Sequence, residues 1–159
     1  MIQKLPLILF TLFVLVGCKE PAATNIPASN TLHPIKIHTL DDRILELNVQ
    51  MAITPKQQQK GLMFRESMPD DEGMLFIFNP PREVGFWMKN TLIPLDMLFI
   101  APGGVVHKIH RGAVPHDLRS IPSDGITHAV LEINSGMSDK LQLIEGAKII
   151  WPNVKSLSQ

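Results

Sequence analysis

The sequence predicts a mainly β fold with two short helices, an α+β single domain built as a small barrel-like or sandwich sheet. Three observations lead there. Short apolar runs recur between residues 35 and 151, several of them alternating with polar residues. Pairs and triplets such as Pro80-Pro81 and Pro102-Gly103-Gly104 punctuate those runs. Thr54-Pro55 and Ser135 are read as the starts of two short helices.

The elements follow in order. Ile35, Ile37 and Thr39 alternate with Lys36 and His38, Asp41-Asp42 makes a turn, and Leu45, Leu47 and Val49 alternate again. This pattern predicts a β-hairpin. Thr54 offers an N-cap, Pro55 suits the first helical position, and Gln57 stands where a capping-box partner belongs. Gly61 is placed to stop that helix, and Gln57-Gln58-Gln59 reads as its solvated face. Met74 to Phe78, Val84 to Met88, Leu95 to Ala101 and Val105 to Arg111 read as strands. In the third of these, Leu95, Met97 and Phe99 face one way and Leu98 and Ile100 the other, which suggests a central or sandwiched strand. Ile126 to Asn134 is another strand, Ser135 caps a short helix through Leu143, and Ala147 to Trp151 is the last strand.

With 159 residues the chain allows one compact domain, and its formal net charge of zero does not suggest a uniformly basic nucleic-acid surface. The first residues follow a different logic. Lys4 is a positive start, Leu5 to Val16 is apolar apart from Thr11, and Leu15-Val16-Gly17-Cys18 follows. That run is too short to span a bilayer, which takes about 20 residues, and it suits a signal-peptide core. The Leu-Val-Gly-Cys ending resembles a bacterial lipobox. The resemblance implies diacylglycerol on the Cys18 thiol, cleavage before Cys18 and stable anchoring by more than one acyl chain. A non-lipidated signal peptide or a short uncleaved anchor are the alternatives. Cys18 is the only cysteine, so no intrachain disulfide is available. Lys19 is not the Asp that favours inner-membrane retention in enteric lipoproteins, so outer-membrane sorting towards the periplasm is expected in a diderm host.

The expected organisation is therefore a signal peptide over 1–17, lipidated Cys18 and a flexible tether over 18–33, a globular domain over 34–151 and a loose tail over 152–159. Removing residues 1–17 removes Lys4 and no acid, which leaves a mature net charge of −1.

Several words in the domain belong together. Gly61-Leu62-Met63-Phe64-Arg65, Gly73-Met74-Leu75-Phe76 and Phe86-Trp87-Met88-Lys89-Asn90-Thr91 precede Pro94-Leu95-Asp96. Val114-Pro115-His116, Ile121-Pro122 and Val130-Leu131-Glu132 with Gly136 complete the set. Over about residues 35–151 this resembles the domain of unknown function (DUF) 192 family. The resemblance implies a compact β-rich fold and frequent export, and no established activity. Some relatives carry cysteines in the loop corresponding to residues 112–124; this chain has none there, which weighs against thiol redox or thiolate-metal chemistry.

The candidate chemistry centres on a polar cluster of Trp87, Lys89, Asn90, Thr91, Asp96 and Glu132. Trp87 could serve as a stacking platform and Lys89 as a cation for an anionic or sugar ligand. The structural alternative, and the favoured one for this segment, is a turn at Asn90-Thr91 stapled by a buried ion pair of Lys89 with Asp96 or Glu132. His128, Val130, Glu132 and Asn134 share a strand face, but His128 and Glu132 are about 13 Å apart along it, too far for a direct acid–base pair. Met63, Met68, Met74, Met88, Met97 and Met137 read as core residues rather than copper ligands with His107, His110, His116 and His128. Arg111 to Gly125 is a long loop that could form a binding rim. No Walker loop, Gly-x-Ser-x-Gly elbow or His-Glu-x-x-His motif occurs.

The reading is a membrane-anchored envelope protein with a non-catalytic module for a small polar ligand, a glycan or a protein. It would bind through the Trp87–Lys89–Asn90 rim and the 111–125 loop. No cofactor, metal or nucleic-acid partner is expected. The alternatives are an envelope enzyme using Lys89, Asp96, Glu132 or His128 as acid–base groups, and a copper-binding protein.

Overall fold

The alternation of Ile35 and Ile37 against Leu45 and Leu47 forms the hairpin it predicts. Strand β1 (His33–His38) pairs antiparallel with β2 (Ile44–Ala52), setting Ile35 opposite Leu47 and Ile37 opposite Leu45. The computed structural model describes residues 31–153; the expected signal peptide, Cys18, most of the tether and residues 154–159 of the expected tail lie outside the described residues. Helix α1 (Pro55–Lys60) follows with a complete capping box. Gln57 donates its backbone N–H to Thr54 Oγ1, and the Gln57 side-chain oxygen accepts from the Thr54 N–H at 2.8 Å. The glutamine run is not simply a solvated face. Gln57 is committed to the cap, and Gln58 turns inward to donate its amide to the Ile77 carbonyl at 2.7 Å. Without that donor a carbonyl of the next strand would lose a partner beneath the helix.

Strand β3 (Glu72–Arg82) runs parallel to β2 and is the longest strand described. The expected strand over Val84 to Met88 shrinks to β4 (Gly85–Phe86). Met88 instead uses its backbone in loop contacts, donating to the Asp117 carbonyl and accepting from the His116 N–H. Then come β5 (Leu95–Ile100), β6 (Val106–Ala113), β7 (Ile121–Pro122) and β8 (Thr127–Asn134). Helix α2 (Met137–Lys140) and β9 (Lys148–Ile150) end the described fold.

Ser135 is not the cap of α2, and the helix stops well before Leu143. Gly136 occupies the cap position with φ 85°, and the side chain that meets the exposed N–H groups comes from another strand. Asp96 on β5 accepts from Gly136 N–H at 3.1 Å and from Ser138 N–H at 3.0 Å. A carboxylate at a helix start satisfies donors that the helix itself cannot.

Seven strands form one sheet in the order β6-β5-β8-β3-β2-β1-β9, and β4 pairs with β7 in a second, two-stranded sheet. The large sheet curls into a half-barrel. At one end its edges are stitched together, with Ile149 N–H donating to Gly104 O at 2.8 Å and Val106 N–H to Ala147 O at 2.9 Å. Among the described residues no helix is long and apolar enough to cross a membrane.

Two apolar layers follow from the strand alternation. Leu75, Ile77, Leu98, Ile100, Leu131 and Ile133 enter one layer with Ile35, Ile37, Leu47 and Val49 inside the curl. Met74, Phe76, Phe78, Met97, Phe99 and Val130 enter the other. This second layer is covered by Leu62, Met68, Met88 and Ile93 from the connecting segments and by Phe86 and Ile121 from the small sheet. As expected for a sandwiched strand, every residue of β5 is buried. Met68, Met74, Met88, Met97 and Met137 are buried in these two layers, as gap-filling methionines are, whereas Met63, also expected in the core, is only partly buried and belongs to neither layer.

Candidate functional site

Three strands place one carboxyl in an unusual setting. Glu132 lies on β8 with Met74 of β3 opposite on one side and Met97 of β5 opposite on the other. Strand parity sends it to the outer layer with Val130, where it is only 4% exposed. Among the described residues it gains neither a hydrogen-bond donor nor a counter-ion. Burial alone pushes its pKa up, to about 8. Taking a carboxylate out of water disfavours the charged form, and nothing here compensates. Glu132 is therefore mostly protonated at neutral pH, an acid able to donate one hydrogen bond and accept others.

It does not lie in solid core. A cavity of about 360 Å³ opens over it, within the ~300–1,000 Å³ usual for ligand pockets. Phe76, Phe78 and Phe86 line the cavity; Phe86 meets Phe76 edge-on at 5.0 Å between centroids and Phe78 at 6.3 Å. Gln58 and the buried Thr91 add polar groups to the lining. The exposed side chains of Lys60, Arg82, Glu83 and Trp87 stand at the mouth. Arg82 lies over the Phe78 ring at 4.9 Å. A second cavity of about 400 Å³ shares Lys60, Gly61 and Met63 with the first. Gly61 is set by a close approach as well as by its φ of 46°: a Cβ there would come within 3.2 Å of the Phe76 ring.

The structure divides the expected polar cluster. Trp87, Thr91 and Glu132 border one cavity. Lys89 does not pair with Asp96 or Glu132; it is exposed, with its ammonium 5.2 Å from the centre of the Trp87 ring. Asp96 is 1% exposed and saturated by backbone, adding Gly112 N–H at 2.9 Å to the two donors of α2. Three N–H groups make a better partner for a buried carboxylate than a flexible lysine would, because they are already ordered and need no counter-ion desolvated. Asn90 turns the chain at φ 55°, and its carbonyl accepts from Phe64 N–H at 2.8 Å. Of the 111–125 loop, His116 and Asp117 bond to the Met88 backbone, and none of its residues lines the cavity. His128 stands edge-on to Trp151 at 5.5 Å, away from the Glu132 cavity. Among the described residues no three His, Cys, Asp or Glu groups come together as metal ligands.

The model of the family described as DUF192, uncharacterized ACR, matches residues 28–151. The chain belongs to the DUF192 family. Two solved structures are similar to this DUF192 chain. One is a candidate transcription regulator from Sinorhizobium meliloti 1021, with 40% sequence identity and a TM-score of 0.76, covering 79% of this chain and 97% of that one. The other is a protein of unknown function from Novosphingobium aromaticivorans DSM 12444, with 36% identity and a TM-score of 0.74, covering 85% of this chain and 100% of that one. Among curated proteins, the ketol-acid reductoisomerase (NADP(+)) of Beutenbergia cavernae is 27% identical over 110 residues. Those residues are 69% of this chain and 31% of the relative, so the chain spans about a third of that protein's length.

The DUF192 motifs map onto the cavity in part. Gly61, Leu62 and Met63, Phe76, Phe86 and Trp87, Thr91 and Glu132 all border it. Phe78 and Gln58 were not singled out from the sequence. A signal was available for Phe78, which shares the parity of Phe76 on one strand; for Gln58 there was none, since only the packing of α1 on β3 turns it inward.

Proposed function

We propose that this DUF192 protein is a lipid-anchored module of the bacterial envelope that binds a small polar ligand over Glu132. The anchor rests on the lipobox-like ending at Cys18. One observation carries the binding reading: a buried carboxyl without a partner among the described residues faces a cavity large enough for a ligand. Fold stability does not account for such a group, because an apolar side chain between Met74 and Met97 would avoid the cost of burying it. A ligand that completes its hydrogen bonds does account for it.

Two experiments test this. Protein purified from its own envelope should carry a non-covalent small-molecule adduct in native mass spectra. Glu132→Leu should lose the adduct while still melting cooperatively; an equal adduct in parent and variant, or none in either, refutes the pocket. Separately, Cys18→Ser should abolish palmitate labelling and membrane retention, and undiminished labelling refutes the anchor. The same carboxyl favours catalysis as the second reading, since a Glu protonated at neutral pH is the form a general acid requires. Conversion of the retained ligand over time, lost in Glu132→Gln, would establish it.

A further inference from the structure

We propose that the ligand of the Glu132 cavity is an uncharged saccharide unit, held inside by the carboxyl and the phenylalanine walls. This rests on the pocket reading above and names its ligand class.

The argument is one of charge and surface type. The charged groups bordering the cavity are Lys60, Arg82, Glu83 and Glu132 itself. The first three are exposed at the mouth, where water serves them and any charge they meet. Inside, the groups are Phe76, Phe78, Phe86, Gln58, Thr91 and Glu132. Met74 and Met97, the cross-strand neighbours of Glu132, carry no charge either. An anion driven to the floor would leave water and find no cation there. A cation would have to pass Lys60 and Arg82 and then displace the proton that Glu132 holds. An uncharged polar group has neither cost.

The polar groups inside also both give and take. A protonated carboxyl donates once and accepts elsewhere, while the Thr91 hydroxyl donates to the Lys89 carbonyl at 3.4 Å and keeps its oxygen as an acceptor. Gln58 has committed its amide N–H groups to the Ile77, Ala52 and Ile53 carbonyls, which leaves its amide oxygen as an acceptor. A row of hydroxyl or acetamido groups answers that mixture. The walls are aromatic, and half-exposed Trp87 extends them to the mouth. A sugar ring presents apolar C–H faces between its hydroxyls, so one ring can lie on phenyl surface while its edge reaches Glu132. A purely apolar ligand would leave the carboxyl unsatisfied, and a small ion would leave the aromatic walls uncovered.

The test uses one ring in three charge states: N-acetylglucosamine, glucosamine and glucuronate, titrated calorimetrically into the full chain in a detergent without a sugar headgroup. N-acetylglucosamine should bind, and both charged analogues should bind at least about tenfold more weakly. Its affinity should hold to about pH 8 and then fall, by about tenfold per pH unit, as Glu132 ionises. Glu132→Gln should keep binding and lose that pH dependence, because an amide still donates and accepts. Glu132→Leu should abolish binding. Glucosamine binding more tightly than N-acetylglucosamine at pH 6, where its amine is protonated, would overturn the uncharged ligand and leave the pocket standing. So would failure of all three sugars while the native adduct is still lost in Glu132→Leu. Loss of that adduct difference overturns the pocket and this inference together.

Discussion

Replacing Glu132 with glutamine should stabilise the protein, and increasingly so as the pH rises. The substitution keeps the size and hydrogen-bonding capacity of the protonated acid and removes its titration. In the unfolded chain the carboxyl titrates near its ordinary value of 4.5; in the folded chain burial raises that to about 8. The folded state therefore holds the proton more tightly. Its stability advantage is fully present below about pH 4.5, is lost as the pH rises through the folded value, and levels off above about 8. At about 1.4 kcal/mol per pH unit, the ionisable side chain costs the fold about 3 kcal/mol at pH 7 and about 5 kcal/mol above pH 8. Glutamine carries no such cost. Urea denaturation of parent and Glu132→Gln at pH 5, 6, 7 and 8 measures it directly. The stability difference should open steadily in favour of the variant over that range. A difference that does not change with pH, or a parent that is the more stable at pH 8, would refute the claim that Glu132 is buried without a partner.

Three further outcomes are expected. Lys89→Met should shift stability by no more than about 0.5 kcal/mol, since Lys89 is exposed over Trp87. Asp96→Asn should cost about 3 kcal/mol or more, because one oxygen becomes a donor facing backbone N–H groups. Denaturation of the double variant should then show the two effects adding within about 0.5 kcal/mol, and recovery in the double would restore the ion pair. Gly73→Ala should cost about 1–3 kcal/mol by thermal melting, because its Cβ would sit 2.7 Å from the Glu132 carbonyl oxygen and 3.2 Å from the Ile133 side chain; an unchanged melting temperature would show that the two strands can part there. Thr54→Ala should cost about 1 kcal/mol through loss of the α1 cap, and a variant as stable as the parent would show that the capping box contributes nothing.

Much of the scaffold was legible because it depends on neighbours in sequence. The hairpin pairing of Ile35 with Leu47 follows from alternation around the Asp41-Asp42 turn. The cap of α1 follows from Thr54, Pro55 and Gln57 within a single turn of helix. The burial of β5 on both faces follows from Leu95 to Ile100 having apolar residues at both parities. The site was legible only in outline. Trp87, Thr91 and Glu132 were marked by type, and strand parity correctly grouped Glu132 with Val130.

What sequence alone determined, then, is which residues share a face of one strand or one turn of helix. Tertiary structure decided which strands are neighbours. The order β6-β5-β8-β3-β2-β1-β9 sets Glu132 between two methionines and beneath a loop layer, and leaves it without the Lys89 pairing that was one expectation for it. The same order brings Asp96 to donors 16, 40 and 42 residues away. Alternation carries no information about such distant partners. They are chosen by the sheet as a whole, where burying two apolar layers outweighs any single charge pair, and each carboxyl is left with whatever that packing places beside it.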